Sequence, residues 1–168
     1  MSAKPNVRAS TACKIVGLDI LKLNEAISRG VYRCAPPTTP GSVRIFGEAA
    51  MLPLYFFARL LDYNLPANWA GPIACDIADH CRDSDDNIVM LLGERNAIAF
   101  GGSHPTLVEW MTEGEYDEKH KNRGRRYEDS IALEVVRLTF NVRNVRAIIA
   151  DMLQHEIKQF LAGKSGPL

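Results

Sequence analysis

The stretch Ala9-Ser-Thr-Ala-Cys-Lys-Ile-Val-Gly-Leu-Asp19, continued by Ile20-Leu-Lys-Leu-Asn-Glu-Ala-Ile-Ser-Arg-Gly30, decides how the rest of the chain is read. Ala9, Ala12, Cys13 and Val16 recur at three- and four-residue spacing, which predicts a short helix over residues 9–16. Gly17 ends it, because glycine takes the left-handed backbone of a helix C-terminus without a steric cost. Asp19 then stands where a side-chain oxygen accepts from the free N–H groups of a new helix. That helix covers residues 20–29, with Ile20, Leu23 and Ile27 on one face, and Gly30 stops it. Two helices joined by a tight glycine-containing turn make a helix-turn-helix pattern. The outer face of the second one carries Lys22, Asn24, Glu25, Ser28 and Arg29.

Downstream, two short β-prone runs, residues 31–34 and 43–46, flank a loop with three prolines and one glycine. They predict a hairpin with Arg33 and Arg44 among its exposed positions. Residues 48–63 predict a strong helix, with Leu54, Phe57, Ala58, Leu61 and Leu65 as its buried stripe. Asn64-Leu-Pro66 breaks it. A fourth helix is expected over residues 67–81, with Trp69, Ile73, Ile77 and Cys81 inward and a kink at Pro72. The polar run Arg82-Asp-Ser-Asp-Asp-Asn87 is the expected boundary between domains at 1–84 and 85–168.

The second half reads as strands at 88–92 and 96–100 joined as a hairpin, and a third strand at 107–111. A charged loop follows at 113–129, then a β-rich run at 131–142 and a helix at 143–161. At this size a domain has difficulty burying a core alone. Packing on the first half or pairing with a second copy relieves that difficulty, and a homodimer or higher oligomer through residues 131–161 is the expectation. The fold class expected overall is α+β.

The chain has 168 residues, with 20 Lys plus Arg against 20 Asp plus Glu. The zero net charge is a cancellation of blocks. Residues 1–48 hold seven basic residues against three acidic, residues 49–118 hold three against twelve, and the run 119–126 carries five basic residues. Segregated charge of this kind points to an anion-binding N-terminal region. No apolar run approaches the roughly 20 residues that cross a bilayer, so no membrane partner is expected. MSAKPNVRAS has no apolar core, so a secretory leader is not expected either. The four cysteines, Cys13, Cys34, Cys75 and Cys81, show no CxxC and read as reduced thiols of a cytoplasmic protein.

The order helix, turn, helix, hairpin, helix, helix over residues 7–82 resembles the MerR-like and excisionase-like winged helix-turn-helix families. The 9–19 stretch and the Arg44-Ile-Phe46 strand leading into the long third helix carry that resemblance. It implies double-stranded DNA as partner, bound by dimers or arrays. The second helix would lie in the major groove, with the hairpin as a wing on the backbone or in the minor groove. True MerR regulators continue into a long coiled coil and an effector domain, which residues 88–168 do not resemble.

Physical chemistry assigns roles on the same residues. Phosphate neutralisation supplies most DNA affinity, and base contacts supply specificity. Lys14, Arg33 and Arg44 suit the first task. Lys22, Asn24, Ser28 and Arg29 suit the second, since amide, hydroxyl and cationic donors match base edges. Thr38, Thr39 and Ser42 are placed to bond phosphates from the wing tip. The function expected is a sequence-specific transcriptional regulator, in the first instance a repressor, cytoplasmic and nucleoid-associated, without cofactor, metal or catalysis. The alternatives are an excisionase-like protein that bends DNA, and an adaptor or sensor whose second half binds a protein or small ligand.

Weaker constellations read as structural. Cys75, Asp76, Asp79 and His80 share a helix but lack a second ligand cluster. Gly101-Gly-Ser-His104 lacks the ending of a phosphate loop, and Ser103 and His104 lack an acid partner. Glu109, Glu113 and Glu115 read as surface groups, and the run 119–126 as either a backbone contact or a solvated loop.

Overall fold

The computed structural model describes residues 6–94, 107–121 and 134–164. Among these the fold is mixed α+β, with six helices and two small antiparallel sheets. The order is β1 (Asn6–Arg8), α1 (Ala9–Val16), α2 (Ile20–Ser28), β2 (Ile45–Gly47), α3 (Glu48–Asp62), α4 (Ala67–His80) and β3 (Ile88–Glu94). Then come β4 (Leu107–Thr112), α5 (Glu113–Lys121), β5 (Glu134–Phe140) and α6 (Val142–Lys164).

The α1–α2 unit forms as its sequence dictates. Gly17 lies at φ 73°. Its N–H donates to the Lys14 carbonyl at 3.3 Å and that of Leu18 to the Cys13 carbonyl at 2.9 Å, the Schellman closure of a helix end. Asp19 accepts from the Leu21 N–H at 2.8 Å and starts α2. The Arg59 guanidinium donates to the Val16 carbonyl at 2.7 Å, so a side chain of α3 holds the turn from below.

The expected hairpin of residues 31–46 does not form. β2 pairs instead with β1, in the register Val7↔Phe46. Residues 31–34 are drawn inward. The Val31 and Tyr32 N–H groups both donate to the Ala26 carbonyl, at 3.0 and 3.2 Å. Tyr32 is fully buried, with its ring 5.0 Å from that of Phe57. Cys34 is joined to Cys75 of α4 by a disulfide, with Cα atoms 5.6 Å apart, an ordinary spacing for that bond. Pro36, Pro37 and Pro40 remove three N–H donors that a ladder would need. The reading of four reduced thiols is corrected accordingly: Cys13 and Cys81 are free and buried, and the other two are paired. In the chain-entropy account, closing a loop of this length is worth about 4 kcal/mol.

Helix α3 is the hub. Met51, Leu52, Leu54, Phe56, Phe57, Ala58 and Leu60 are all buried, a wider arc than one stripe, while Leu61 is half-buried. The arc is wide because α3 packs on α1, α4, α6 and β2 at once, and Phe56 meets Phe140 of β5 edge to face at 5.3 Å. Helix α4 buries Ala70, Gly71, Ala74, Cys75 and Ile77. The expected inward Trp69 is instead 40% exposed. Small residues win this face because the chain approaches closely: a Cβ on Gly71 would sit 2.2 Å from the Val31 carbonyl oxygen. Pro72 lies inside α4, which continues through it.

Strand β3 occupies the centre of the second sheet, in the order β4-β3-β5. Met90 lies opposite Trp110 on one side and Leu138 on the other, and this face joins the core. Residues 96–100, expected to pair with 88–92, lie outside the described residues, as do 122–129 and 131–133. The buried Val142, Val145, Ile149 and Leu153 of α6 belong to the same apolar cluster as Phe46, Phe57 and Cys81, so one core serves both halves of the chain.

Residues 113–121, expected as part of a loop, form helix α5. Its start is a capping box: the Thr112 N–H donates to Glu115 Oε2 at 2.8 Å, and the Glu115 N–H to Thr112 Oγ1 at 3.2 Å. These bonds to Thr112 hold the Glu115 carboxyl below its ordinary value of 4.5. Arg137 of β5 lies over the Tyr116 ring at 4.1 Å and 3.8 Å from Glu113, which sets α5 on the outer face of the sheet.

Two outcomes follow. Gly71→Ala gains about 1 kcal/mol of helix propensity but drives a methyl into backbone. A net loss of about 1–2 kcal/mol is expected from the urea midpoint, and an unchanged midpoint would show that the approach is not close. Because its folded carboxyl is lowered, Glu115 contributes stability above the ordinary value of 4.5 and loses it as pH falls through the folded value. Wild type should therefore outlast Glu115→Gln in thermal melts at neutral pH, with the gap closing as pH falls below 4.5. A gap independent of pH would contradict a contribution from the charge of Glu115.

Candidate nucleic-acid interface

Helix α2 turns one side inward through Leu23 and Ala26, both buried, with Ile20 and Ile27 packed against the same core. At 100° per residue the remaining arc carries Asn24, Ser28, Leu21, Glu25, Arg29 and Lys22, all exposed. Four of these are the base-reading residues expected from the sequence, and the fold brings them together on one rigid surface. Arg29 is held by Glu25, one turn away at 3.2 Å, and the Ser28 hydroxyl donates to the Glu25 carbonyl at 2.9 Å. Both pairs are exposed, so they restrain these side chains weakly.

The other expected residues divide into two groups. Thr38, Thr39 and Ser42 form an exposed turn of their own, with Ser42 Oγ 2.9 Å from both threonine hydroxyls. Lys14, Arg33 and Arg44 are each engaged inside the protein. Lys14 bridges to Glu156 of α6 at 2.9 Å. Arg33 pairs with Asp76 of α4, and Arg44, half-buried, donates to the Pro36 carbonyl. As exposed ion pairs the first two are worth little energetically and are open to exchange for a phosphate.

Several exposed groups escape a reading based on polar residues alone. Leu21 is 71% exposed near the middle of the α2 arc, and Val43 and Ile45 flank Arg44 at 55% and 45%. Arg8 is exposed and lies opposite Ile45 in the β1–β2 ladder. The helical wheel already puts Leu21 among Lys22, Asn24 and Ser28, which is the signal that could have found it. An apolar side chain among donors is what contact with a thymine methyl requires.

Burial, with the nearby Asp19 charge, pushes the Cys13 thiol up to about 11, and burial raises Tyr32 and Cys81. Cys75 is in a disulfide, Asp76 and Asp79 face arginines, and His80 meets Trp110 edge to face with ring centroids 5.7 Å apart. Among the described residues no group of three or more His, Cys, Asp or Glu is placed to hold a metal. Glu113 accepts from the Asn87 side-chain amide at 2.8 Å, and Glu115 caps α5. Residues 101–104 and 122–126 lie outside the described residues. Among those described, no helix is long and apolar enough to cross a membrane. No protein-family model and no curated protein matches this chain.

Proposed function

We propose that this protein is a sequence-specific double-stranded-DNA-binding regulator, most simply a repressor, that lays α2 in the major groove. One observation carries the reading: a single exposed arc of a well-anchored helix holds Lys22, Asn24, Ser28 and Arg29 around Leu21. That is two cations, an amide, a hydroxyl and an apolar contact on a helix that the groove admits. The α1–α2 turn presents this arc outward, as in a winged helix-turn-helix. The loop 36–44 then takes the place of a wing, next to Arg8 and Arg44, and needs no hairpin to do so. Lys14 and Arg33 would exchange their carboxylates for phosphates on binding.

Self-association through α6 is part of the proposal. Most of that helix's apolar arc is used inside the chain, but Ile148 and Met152, one turn apart, remain 49% and 39% exposed. A dimer would let two α2 helices read half-sites about one helical turn apart.

The DNA reading is tested by selecting duplexes from a random pool and measuring affinity across a salt series. Binding should weaken steeply with salt. Lys14→Ala and Arg33→Ala should each lower affinity and reduce the salt slope by about one, whereas Lys22→Ala and Arg29→Ala should lower affinity and relax base preference. Asn24→Ala should relax preference at one base pair by about 1–3 kcal/mol. The reading is lost when no duplex shows salt-sensitive binding. Light scattering should give a dimer mass that Ile148→Asp converts to monomer, and a wild-type monomer at micromolar concentration would remove the self-association proposal.

A further inference from the structure

The two sulfurs of the Cys34–Cys75 pair differ in access. Cys75 is fully buried on α4, whereas Cys34 is half-buried. Cys34 lines an open groove of about 540 Å³. The same wall carries Arg33, Arg82 and Arg146, each in an exposed or half-exposed ion pair, with Asp76, Asp79 and Asp85 respectively, that is open to exchange for a ligand carboxylate. The two remaining thiols are poor competitors, since Cys13 and Cys81 are buried and burial raises both. A thiol reagent that is small and carries carboxylates fits this groove by size and by exchange with those ion pairs.

The placement of Cys34 gives the bond a lever. It lies at the start of the segment that leads from α2 to β2 and carries Thr38, Thr39, Ser42 and Arg44. The disulfide, the Arg33–Asp76 pair and the packing of Val31 on Gly71 together fasten the beginning of that segment to α4. Only the disulfide is covalent and reversible by chemistry. A protein that works on DNA sits among thiol reductants, where a disulfide that forms is characteristically transient or redox-sensing.

We propose that Cys34–Cys75 is a thiol–disulfide switch on residues 31–44, and that Cys34 is the sulfur through which a small acidic thiol of the glutathione class exchanges with it. The regulatory half of this rests on the duplex-DNA reading. The incoming thiolate attacks Cys34 Sγ, and the S–S bond breaks. Cys75 leaves as a thiolate and takes up a proton, so Cys34 carries a mixed disulfide. A second small thiolate attacks the small-molecule sulfur of that mixed disulfide, and Cys34 leaves and is protonated. Two small thiols are thereby oxidised to their disulfide as the protein pair is reduced. Released from α4, the segment holds its DNA-ready arrangement for only part of the time, and apparent affinity falls by that fraction.

The test uses the full chain, oxidised and reduced, against the selected duplex, with intact-mass analysis after incubation with oxidised glutathione. The oxidised form should bind about five- to tenfold more tightly, the lower end of ordinary coupling between sites. One glutathionyl group should add to Cys75→Ser and none to Cys34→Ser, with circular dichroism showing that both remain folded. If either variant fails to fold, partial reduction of wild type by glutathione, acid quenching and peptide mapping locates the adduct. An adduct on Cys34 supports the assignment, and one on Cys75, or none, overturns it. Equal DNA affinity in both redox states with the adduct formed overturns the switch and leaves the DNA reading standing. Absence of binding in both states removes the DNA reading, and the switch with it.

Discussion

Helix α3 meets water chiefly along one narrow stripe, Glu48, Tyr55, Arg59 and Asp62, and the remainder of the structure is arranged to cover the rest of it. Each large apolar side chain that it buries is worth about 1.5–3 kcal/mol, so leaving any flank of Met51, Leu54, Phe56, Phe57 or Leu60 uncovered is costly. Helix α1 covers one flank, α4 another, and α6 with the β3-centred sheet the remainder. Helix α2 receives its position second-hand. It is set by the turn that Arg59 holds and by the close passage of Val31 over Gly71. The exposed arc of α2 is thus a by-product of a core that has already been filled.

What was legible in the sequence was local. The C-terminal end of α1 and the start of α2 are written in Gly17 and Asp19, whose partners lie within five residues. Residues 31–34 were not legible, because Val-Tyr-Arg-Cys suits a strand and a buried turn equally well. The groups that decide between them, Phe57, Gly71 and Cys75, are distant in sequence. Helix α4 misled for a related reason: Trp69 marks an apolar face by size, yet close approach selects Ala70, Gly71 and Ala74. Helix α5 has no apolar periodicity, and its one readable sign was the capping box from Thr112 to Glu115.

The candidate site divides along the same line. The faces of α2 follow from a helical wheel, so Lys22, Asn24, Ser28 and Arg29 could be grouped without coordinates. The engagement of Lys14 by Glu156 and of Arg33 by Asp76 could not be, since those partners stand in other blocks of the charge pattern. The cancellation of charge along the chain is in part a set of physical contacts. Arg33 and Arg146 meet Asp76 and Asp85 across the boundaries between those blocks. The acidic middle is woven against the basic residues and is not confined to a remote flank.

The bridge from Lys14 to Glu156, with Ile149 and Leu153 packed in the common core, has a consequence for how the molecule is made. A chain leaves the ribosome N-terminus first, and early segments settle as soon as their partners have emerged. Here one flank of the hub waits for a partner near residue 150. Until then the flank of α3 that α6 will cover stays open to solvent, and to whatever chaperone meets the nascent chain. The hub is therefore closed only once α6 has been made, long after α3 itself.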